Sequence, residues 1–507
     1  RYEVIIIDEG HRIKNKQSKL SQILRKYYKS SSRLLLTGTP LQNDLEELWS
    51  LLNFLLPDVF NSGTTFQQWF NAPFSGQPED IELKTEEQLL IINRLHRVLR
   101  PFLLRREKRD VEVQLKDKQE SILHCDLSGL QRVMYKAMVK SGVILCNPDS
   151  DSVRRARTKA FKNRLMQLRK ICNHPFLYPT VEREFGTDVD GLIRTSGKMQ
   201  MLDRILPKLR KAGHKLLIFS QFTTSMDLME RYFAMQGYGE LVLRLDGSTA
   251  GEIRAEHVEK WNAPDSKYWV FILSTKAGGM GLNLQAADTV ILYDSDWNPQ
   301  NDLQAIDRCH RIGQEAQVCV FRFVCHSTIE EKILERAKQK LNIDSKVIGA
   351  GQFNNKSTAS ERQEILEYLL LDTEDDIKET GRISDKELNK IIARSDDELA
   401  NYERMDKDEP RAVQDLITET ELPEWMLVDP KEAIEQNYAN LGRGHRKRKQ
   451  INYSEVEKEL YGGVEEGDEP HAKRQRISTL GSVQDDYDDG EDLEDAFEAN
   501  DDGDYQG

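Results

Sequence analysis

Residues 4 to 7 are Val4, Ile5, Ile6 and Ile7, an unbroken row of β-branched side chains that runs directly into two acids, Asp8 and Glu9. Such side chains suit a pleated strand better than a helix. A strand with no polar alternation has to be covered on both faces, which is the condition of a parallel sheet. Open α/β sheets bind their ligands beyond the carboxyl ends of the strands, and here two carboxylates emerge together. In a nucleotide hydrolase the first acid holds Mg²⁺ and the second polarises the attacking water. The other reading of the bare pattern is a strand that ends in a solvated acidic turn.

The same grammar recurs along the chain. Arg33 to Pro40 reads R-L-L-L-T-G-T-P, a second apolar run closed by a turn; Thr37 and Thr39 could sense a γ-phosphate there, or simply form the turn with Gly38. L-Q-N-D-L-E-E-L-W at 41–49 opens an amphipathic helix with Asn43 or Asp44 as N-cap. K-L-L-I-F-S-Q (215–221), L-V-L-R-L-D-G-S-T (241–249), W-V-F-I-L-S-T-K-A-G-G-M-G-L-N-L (269–284) and T-V-I-L-Y-D-S-D-W-N-P (289–299) are further strands ending in polar or glycine-rich turns. Strands alternating with helical stretches predict a parallel sheet. Gly278, Gly279 and Gly281 would leave backbone amides open to phosphates. In Q-A-I-D-R-C-H-R-I-G-Q (304–314), Arg308 and Arg311 are three apart and would share a helix face, an arrangement suited to a phosphoryl group.

The chain has 507 residues, which suggests about three domains at roughly 150 residues each. It is 38% apolar and 31% charged, so parts of it are expected not to be globular. The net charge of −14 is concentrated: residues 485–507 carry twelve acids and no Lys or Arg, and without them the chain sits near −2. The run at 153–170 holds eight Lys or Arg and no acid; it reads as a solvated helix face or as a phosphate-contacting one. The six cysteines form no C-x-x-C pair or zinc array and are expected to be free thiols in a reducing compartment. No apolar run approaches the ~18 residues of a membrane span. Arg1-Tyr2-Glu3 is not a natural start, and the chain is expected to be a piece of something longer.

D-E-G-H at 8–11, followed by L-L-L-T-G-T-P-L-Q-N at 34–43, resembles motifs II and III of the superfamily-two helicase-like ATPases in their Swi/Snf branch, and the Gly10 spelling resembles the brahma/RSC type of chromatin remodeller. The string at 304–314 is similar to that family's motif VI, and E-L-P-E-W (421–425) with G-R-G-H-R-K-R-K (442–449) resembles, more loosely, the histone-anchoring segment behind the motor. The resemblance implies an α/β fold: residues 1–115 as the carboxyl part of a first RecA-like lobe with a protrusion, 116–190 as a helical protrusion and linker, and 191–345 as a complete second RecA-like lobe with a parallel sheet. Behind them it implies a brace and post-motor region (346–395), a histone-anchoring segment (396–460) and a disordered acidic tail (461–507).

The same resemblance implies Asp8, Glu9, Arg308 and Arg311 as catalytic residues, with Asp8 on the metal. It implies His11, Thr37, Gly38, Thr39, Gly281 and Gln304 in ATP coupling. Ser220, Gln221, Asp246, Gly247, Ser248, Ser274, Thr275, Gly278, Gly279, Asn283 and Trp297 would track duplex DNA. The cofactors would be ATP and Mg²⁺. The partners would be nucleosomal DNA, histones and other subunits of a remodelling complex, with no membrane, in the nucleus. The family's Walker A string, Gly-x-x-x-x-Gly-Lys-Ser/Thr, stands nowhere in the chain, so the chain by itself is expected not to hydrolyse ATP. A duplex translocase of recombination or transcription-factor removal, and a non-catalytic chromatin-binding subunit with a relic motor, are the alternatives.

Overall fold

The computed structural model describes residues 2–38, 45–57, 59–60, 100–104, 106, 111, 115–145, 147, 158–160, 163–186, 188–278, 281–338, 383–408 and 415–434. Asn43, Asp44, the stretch 351–358 and the acidic tail lie outside these residues. The chain divides into two compact units, residues 1–38 with 50–59 and 438–507, and residues 39–49 with 60–437.

In the first unit, β1 (Tyr2–Ile7) and β2 (Ser30–Leu35) pair in parallel, with Ile5 opposite Arg33 and Ile7 opposite Leu35. Helix α1 (Lys19–Tyr27) makes the crossover, and the hydroxyl of Ser18 caps it by accepting the Ser21 amide. The carboxyl half of α2 (Leu45–Leu55) supplies Leu51 and Phe54, which pack with Ile13, Ile7, Leu24 and Leu35. Arg33 donates to the Phe54 carbonyl at 2.6 Å and covers its ring at 4.7 Å. Coverage on both faces is not what β1 and β2 have. Val4, Ile6, Leu34 and Leu36 are exposed, because the helices reach one face only and each strand has the other as its sole partner among the described residues.

The second unit is built on six parallel strands in the order β3 (Gln119–Cys125), β10 (Cys319–Cys325), β9 (Thr289–Leu292), β6 (Leu216–Ser220), β8 (Val270–Ser274) and β7 (Val242–Leu245). A short antiparallel ribbon, β4 (Val143–Leu145) with β5 (Thr158–Ala160), forms a separate sheet whose Ile144 joins the first core. The sheet explains the unbroken apolar runs. Leu216 and Ile218 of β6 enter one core with α5 (Gly197–Lys211) and α6 (Thr223–Met235); Leu217 and Phe219 enter another with α7 (Gly251–Asn262) and α8 (Pro299–Ile306). Alternate residues face opposite ways, and both faces are covered.

Edge strand β3 and helix α3 (Gly129–Ser141) come from the stretch assigned to a protrusion and linker, yet both pack into this unit. Helix α4 (Arg164–Asn173) carries the end of the basic run, and Arg169 on it is buried; it donates to the Ser295 carbonyl at 3.0 Å under the Phe222 ring. That side chain is neither a solvated face nor a phosphate contact. Residues 329–338 form α9. Beyond them α10 (Asp385–Ile392) and α11 (Asp396–Asp408) join the first core through Leu388, Ile392 and Tyr402. The chain at 415–426 returns to α3, where the Gly129 amide donates to the Ile417 carbonyl at 2.6 Å and Arg132 pairs with Glu419 at 3.2 Å. No helix among the described residues is long and apolar enough to cross a membrane.

Candidate functional site

β1 delivers Asp8 and Glu9 just past its last paired residue, Ile7. The Asp8 Oδ1 accepts the Glu9 amide at 2.8 Å, which leaves Oδ2 of an exposed carboxylate for a hard cation such as Mg²⁺. Glu9 has φ +50° and ψ +52°, a left-handed conformation that costs a non-glycine residue about 1–2 kcal/mol and is found where function fixes the backbone. Its carboxylate lies 3.3 Å from His11 Nδ1, a contact not aligned as a hydrogen bond. Burial lowers the pKa of His11, against the pull of Glu9, and Lys14 and Arg12 lower it further. The Gly10 amide donates to the Leu36 carbonyl at 2.8 Å, and the Leu36 amide to the Ile7 carbonyl at 2.8 Å. These bonds hold the acidic turn beside the end of β2, so half-buried Thr37 and exposed Gly38 share its edge. Thr39 lies outside the described residues. A Cβ added to Gly10 would meet Leu35 at 3.4 Å, an ordinary contact, so alanine fits this position.

In the second unit the strand ends divide between core and surface. Ser220 is fully buried and its hydroxyl donates to Asp294 Oδ2 at 2.7 Å, while the Gln221 amide donates to Asp294 Oδ1 at 2.9 Å. Ser274, Thr275 and Asp246 are buried as well. Burial alone would raise the Asp246 carboxyl, but the Ser248 hydroxyl and amide and the Arg244 guanidinium more than offset it and hold the pKa below its ordinary value. Gly247, Ser248, Gly281 and Asn283 are the exposed members. Gly281 has φ +61°, where a side chain would be strained. The Asn283 side chain donates to Gln285 at 3.2 Å. Gln221 Nε2 and Thr275 Oγ1 are enclosed with no hydrogen-bond partner among the described residues. They belong to the residues directly after the paired Ser220 and Ser274 on neighbouring strands, so two unmet polar groups lie at the carboxyl edge of this sheet, where a polar ligand or water would satisfy them. Trp297 is half-buried against the first core. Gly278 closes a helical turn after β8, and Gly279 lies outside the described residues.

Arg308 and Arg311 do not share a helix face. Helix α8, which carries the half-buried Gln304, ends at Ile306, and residues 307–313 are turns. Tertiary bonds made by this turn and by Gln314 end the helix there. Cys309 is buried with its thiol 2.9 Å from the Ala287 carbonyl, the Gln314 amide group donates to Ala287 and Gln285, and the Leu284 amide donates to the Arg308 carbonyl. Gly313 at φ +95° permits the reversal. Arg308 is half-buried, while Arg311 is exposed and its guanidinium pairs with nothing among the described residues. An unpaired exposed guanidinium is available to an anion.

Three buried groups beneath this edge escaped the sequence reading. Asp294 is the hub for Ser220, Gln221 and Asn173. Lys198 is fully buried and donates to Glu330 at 2.6 Å, to the Tyr293 carbonyl at 2.7 Å and to Asn173 at 2.9 Å. Burial opposes its charge, but Glu330 outweighs that and raises its pKa. Arg322 of β10 joins Asp302, Ser295 and Glu120. Only Arg322 left a signal in the sequence, a lone charge within an apolar run; Asp294 and Lys198 have polar residues near them in the chain. Cys172, Cys325 and Glu330 cluster closely enough to suggest a metal site. Both Glu330 oxygens are taken, by Lys198 and the Cys325 amide, and burial strongly raises the Cys325 thiol. The group is a packed core beside a fixed ammonium. The five described cysteines are free and buried.

Comparison with known proteins covers both units. The SNF2-related domain matches residues 1–177, the helicase conserved C-terminal domain matches 197–313, and a family described as Snf2-ATP coupling, chromatin remodelling complex, matches 393–459. The chain is 47% identical over 493 residues to the ATP-dependent helicase brm of Drosophila melanogaster, across 92% of this chain and 30% of that protein. It is 51% identical over 410 residues to Nuclear protein STH1/NPS1 of Saccharomyces cerevisiae, across 80% of this chain and 30% of that one. It is 48% identical over 471 residues to the chromatin structure-remodeling complex subunit snf21 of Schizosaccharomyces pombe, across 89% and 39%. The chain therefore spans 30 to 39% of the length of these relatives. With the three matches following one another in chain order and relatives 47 to 51% identical across most of the chain, the chain belongs to the SNF2 family of chromatin-remodelling ATPases.

Proposed function

We propose that this chain supplies the catalytic acids and the second lobe of a motor that couples ATP hydrolysis to movement along duplex DNA, and that slides or evicts nucleosomes. The names of the relatives, a helicase, a nuclear protein and a subunit of a chromatin structure-remodeling complex, support a nuclear, multi-subunit setting. Asp8 would hold Mg²⁺, and Glu9 would orient and polarise the attacking water. Arg308 and Arg311 would stabilise charge on the transferred phosphoryl group, and Thr37, Gly38, Thr39, His11, Gln304 and Gly281 would relay the nucleotide state. Gln221, Gly247, Ser248, Gly278, Gly279, Asn283 and Trp297 would meet DNA phosphates without reading sequence. Buried Ser220, Asp246, Ser274 and Thr275 would shape that surface from beneath. Histone contact would fall to the basic run Arg443–Lys449, because residues 396–408 and 415–426 are already engaged with the second unit's own helices.

The observation that carries this reading is the acid pair at the end of β1 with Glu9 held left-handed. The test is Glu9→Gln in the whole protein. The amide should keep ATP binding and lose turnover by roughly 10²- to 10⁴-fold, the usual scale of general-base loss. Wild-type steady-state hydrolysis in that variant would withdraw the assignment.

A further inference from the structure

Strand β10 runs Cys-Val-Phe-Arg-Phe-Val-Cys, and all seven residues are buried. A guanidinium in such a row persists only if its donors are met. Arg322 Nη1 donates to Asp302 Oδ2 at 2.5 Å and to Ser295 Oγ at 2.9 Å. Its Nε and Nη2 reach Glu120 Oε1 at 3.1 and 2.9 Å. One side chain is thus the junction of β3, β10, the loop after β9 and the first turn of α8. The contacts continue on the loop side. The Asp296 amide donates to Asp302 at 3.3 Å, and Asp296 in turn accepts the Asn298 amide at 2.8 Å and the Asn301 side chain at 3.0 Å. On the other side α8 runs from Asp302 into the turn that bears Arg308 and Arg311. The loop 294–298 and the arginine turn are therefore the two ends of one short element, and Arg322 grips that element where it begins.

We propose that Arg322 is a positioning residue that couples the loop 294–298 to the arginine turn, so that DNA engaged at the loop sets the placement of Arg308 and Arg311. The proposal rests on the motor reading above. A displacement of the loop carries Ser295 and Asp296 with it. Both are bonded to the Arg322–Asp302 pair, and a buried charge pair tolerates little separation before one partner is left unmet. The helix therefore moves with the loop. Arg322 is buried beneath the strand ends, with its donors met by Asp302, Ser295 and Glu120, so its loss should spare the DNA-free reaction and remove the acceleration that DNA brings.

The experiment is steady-state ATP hydrolysis by the whole protein with and without saturating duplex DNA, for wild type, Arg322→Met, Arg322→Lys and Ser295→Ala. Coupling between sites is usually a factor of about 5 to 150. Arg322→Met should cut the DNA-stimulated kcat by at least about tenfold within that range, with basal turnover and the KM for ATP within about twofold. Arg322→Lys keeps the charge but lacks the fork and should fall between Met and wild type. Ser295→Ala leaves the Arg322–Asp302 pair intact, so it keeps the test open if Arg322→Met does not fold; a loss of stimulation of about threefold to fivefold is expected, at the low end of that range. Equal losses of basal and stimulated turnover would reveal a plain structural staple and overturn the proposal, as would normal stimulation in a folded Arg322→Met or, should that variant not fold, in Ser295→Ala. A wild-type protein with no DNA-stimulated turnover would overturn the motor reading itself, and the coupling with it.

Discussion

Strands β1 and β6 read almost alike, V-I-I-I before Asp8 and L-L-I-F before Ser220. All five residues of β6 are buried, whereas Val4 and Ile6 of β1 stand 53% and 61% exposed. β6 lies inside six strands with helices on both faces; β1 has β2 and a helical layer on one face. An apolar run states what a strand can bury, and its neighbours decide what it does bury. The strand ends differ in the opposite sense. After β1 the Asp8 carboxylate remains at the surface and the backbone is strained at half-buried Glu9, while at β6 and β8 the hydroxyls of Ser220, Ser274 and Thr275 have been drawn inside. In the first unit the polar ends are presented directly. In the second they are enclosed, and Ser220 ties the turn after β6 to Asp294.

The sharpest way to break this comparison is at a buried charge pair. Lys198 and Glu330 are 0% and 5% exposed and 2.6 Å apart. Removing one charge of a buried pair leaves the other unmet, at about 3–5 kcal/mol. Glu330→Gln should therefore destabilise the second unit by about that amount and leave the first unit untouched. Native-state hydrogen exchange at the amides of β6 and β1 reports each unit separately; a loss of protection in β1 equal to that in β6 would mean the units do not unfold independently.

A smaller effect tests the strands themselves. Ile218→Ala opens a cavity in a fully buried strand and should cost about 2–5 kcal/mol. Ile6→Ala lies on the exposed face and should cost under about 1 kcal/mol, the scale of strand propensity and surface substitution. Urea titrations followed by exchange at β6 and β1 would show both, and equal costs would mean that the outer face of β1 is covered in solution.

Much of this was legible in the chain. The apolar runs placed the starts of β1, β6, β7, β8 and β9 within a residue or two, placed β2 three residues late at Arg33 instead of Ser30, and glycine marked the turn at Gly281. β3 was missed because Gln119, Glu120, Ser121 and His124 give an edge strand too polar to stand out. β10 was missed because Arg322 interrupts it, and that arginine is the structural junction. The helix through Arg308 and Arg311 failed because spacing says nothing of the tertiary bonds from Cys309 and Gln314 that end α8 early. Arg169 looked like one more charge in a basic run, and only the fold supplies the Ser295 carbonyl and the Phe222 ring that bury it. Sequence exposes what is periodic; buried polar partners come from segments far apart in the chain.

The smallest effect sharpens the comparison through one histidine in each unit. His174 is buried; its Nδ1 accepts the Phe176 amide at 3.0 Å and its Nε2 faces the Leu192 carbonyl at 3.0 Å. That pattern fits only the neutral ring with its proton on Nε2. Burial drives the His174 pKa down to about 3, against the pull of the Leu192 carbonyl. The unfolded chain therefore takes up this proton first. The stability tied to His174 is complete above its unfolded value of about 6.5, and it falls as pH drops toward the folded value at about 1.4 kcal/mol per pH unit. His11 is shifted the same way but is only half-buried, so the first unit should respond less. Asp302 works in the opposite sense: burial pushes it up to about 6 despite Arg322, so its contribution improves as pH falls through that value. The His174→Gln variant separates the two, since the glutamine amide can mimic one acceptor and one donor but cannot titrate. Exchange at β6 amides between about pH 7 and 5, above most carboxylate titrations, should show wild type losing stability relative to His174→Gln as the pH falls. Parallel profiles for the two proteins would mean that the acid sensitivity of the second unit lies elsewhere.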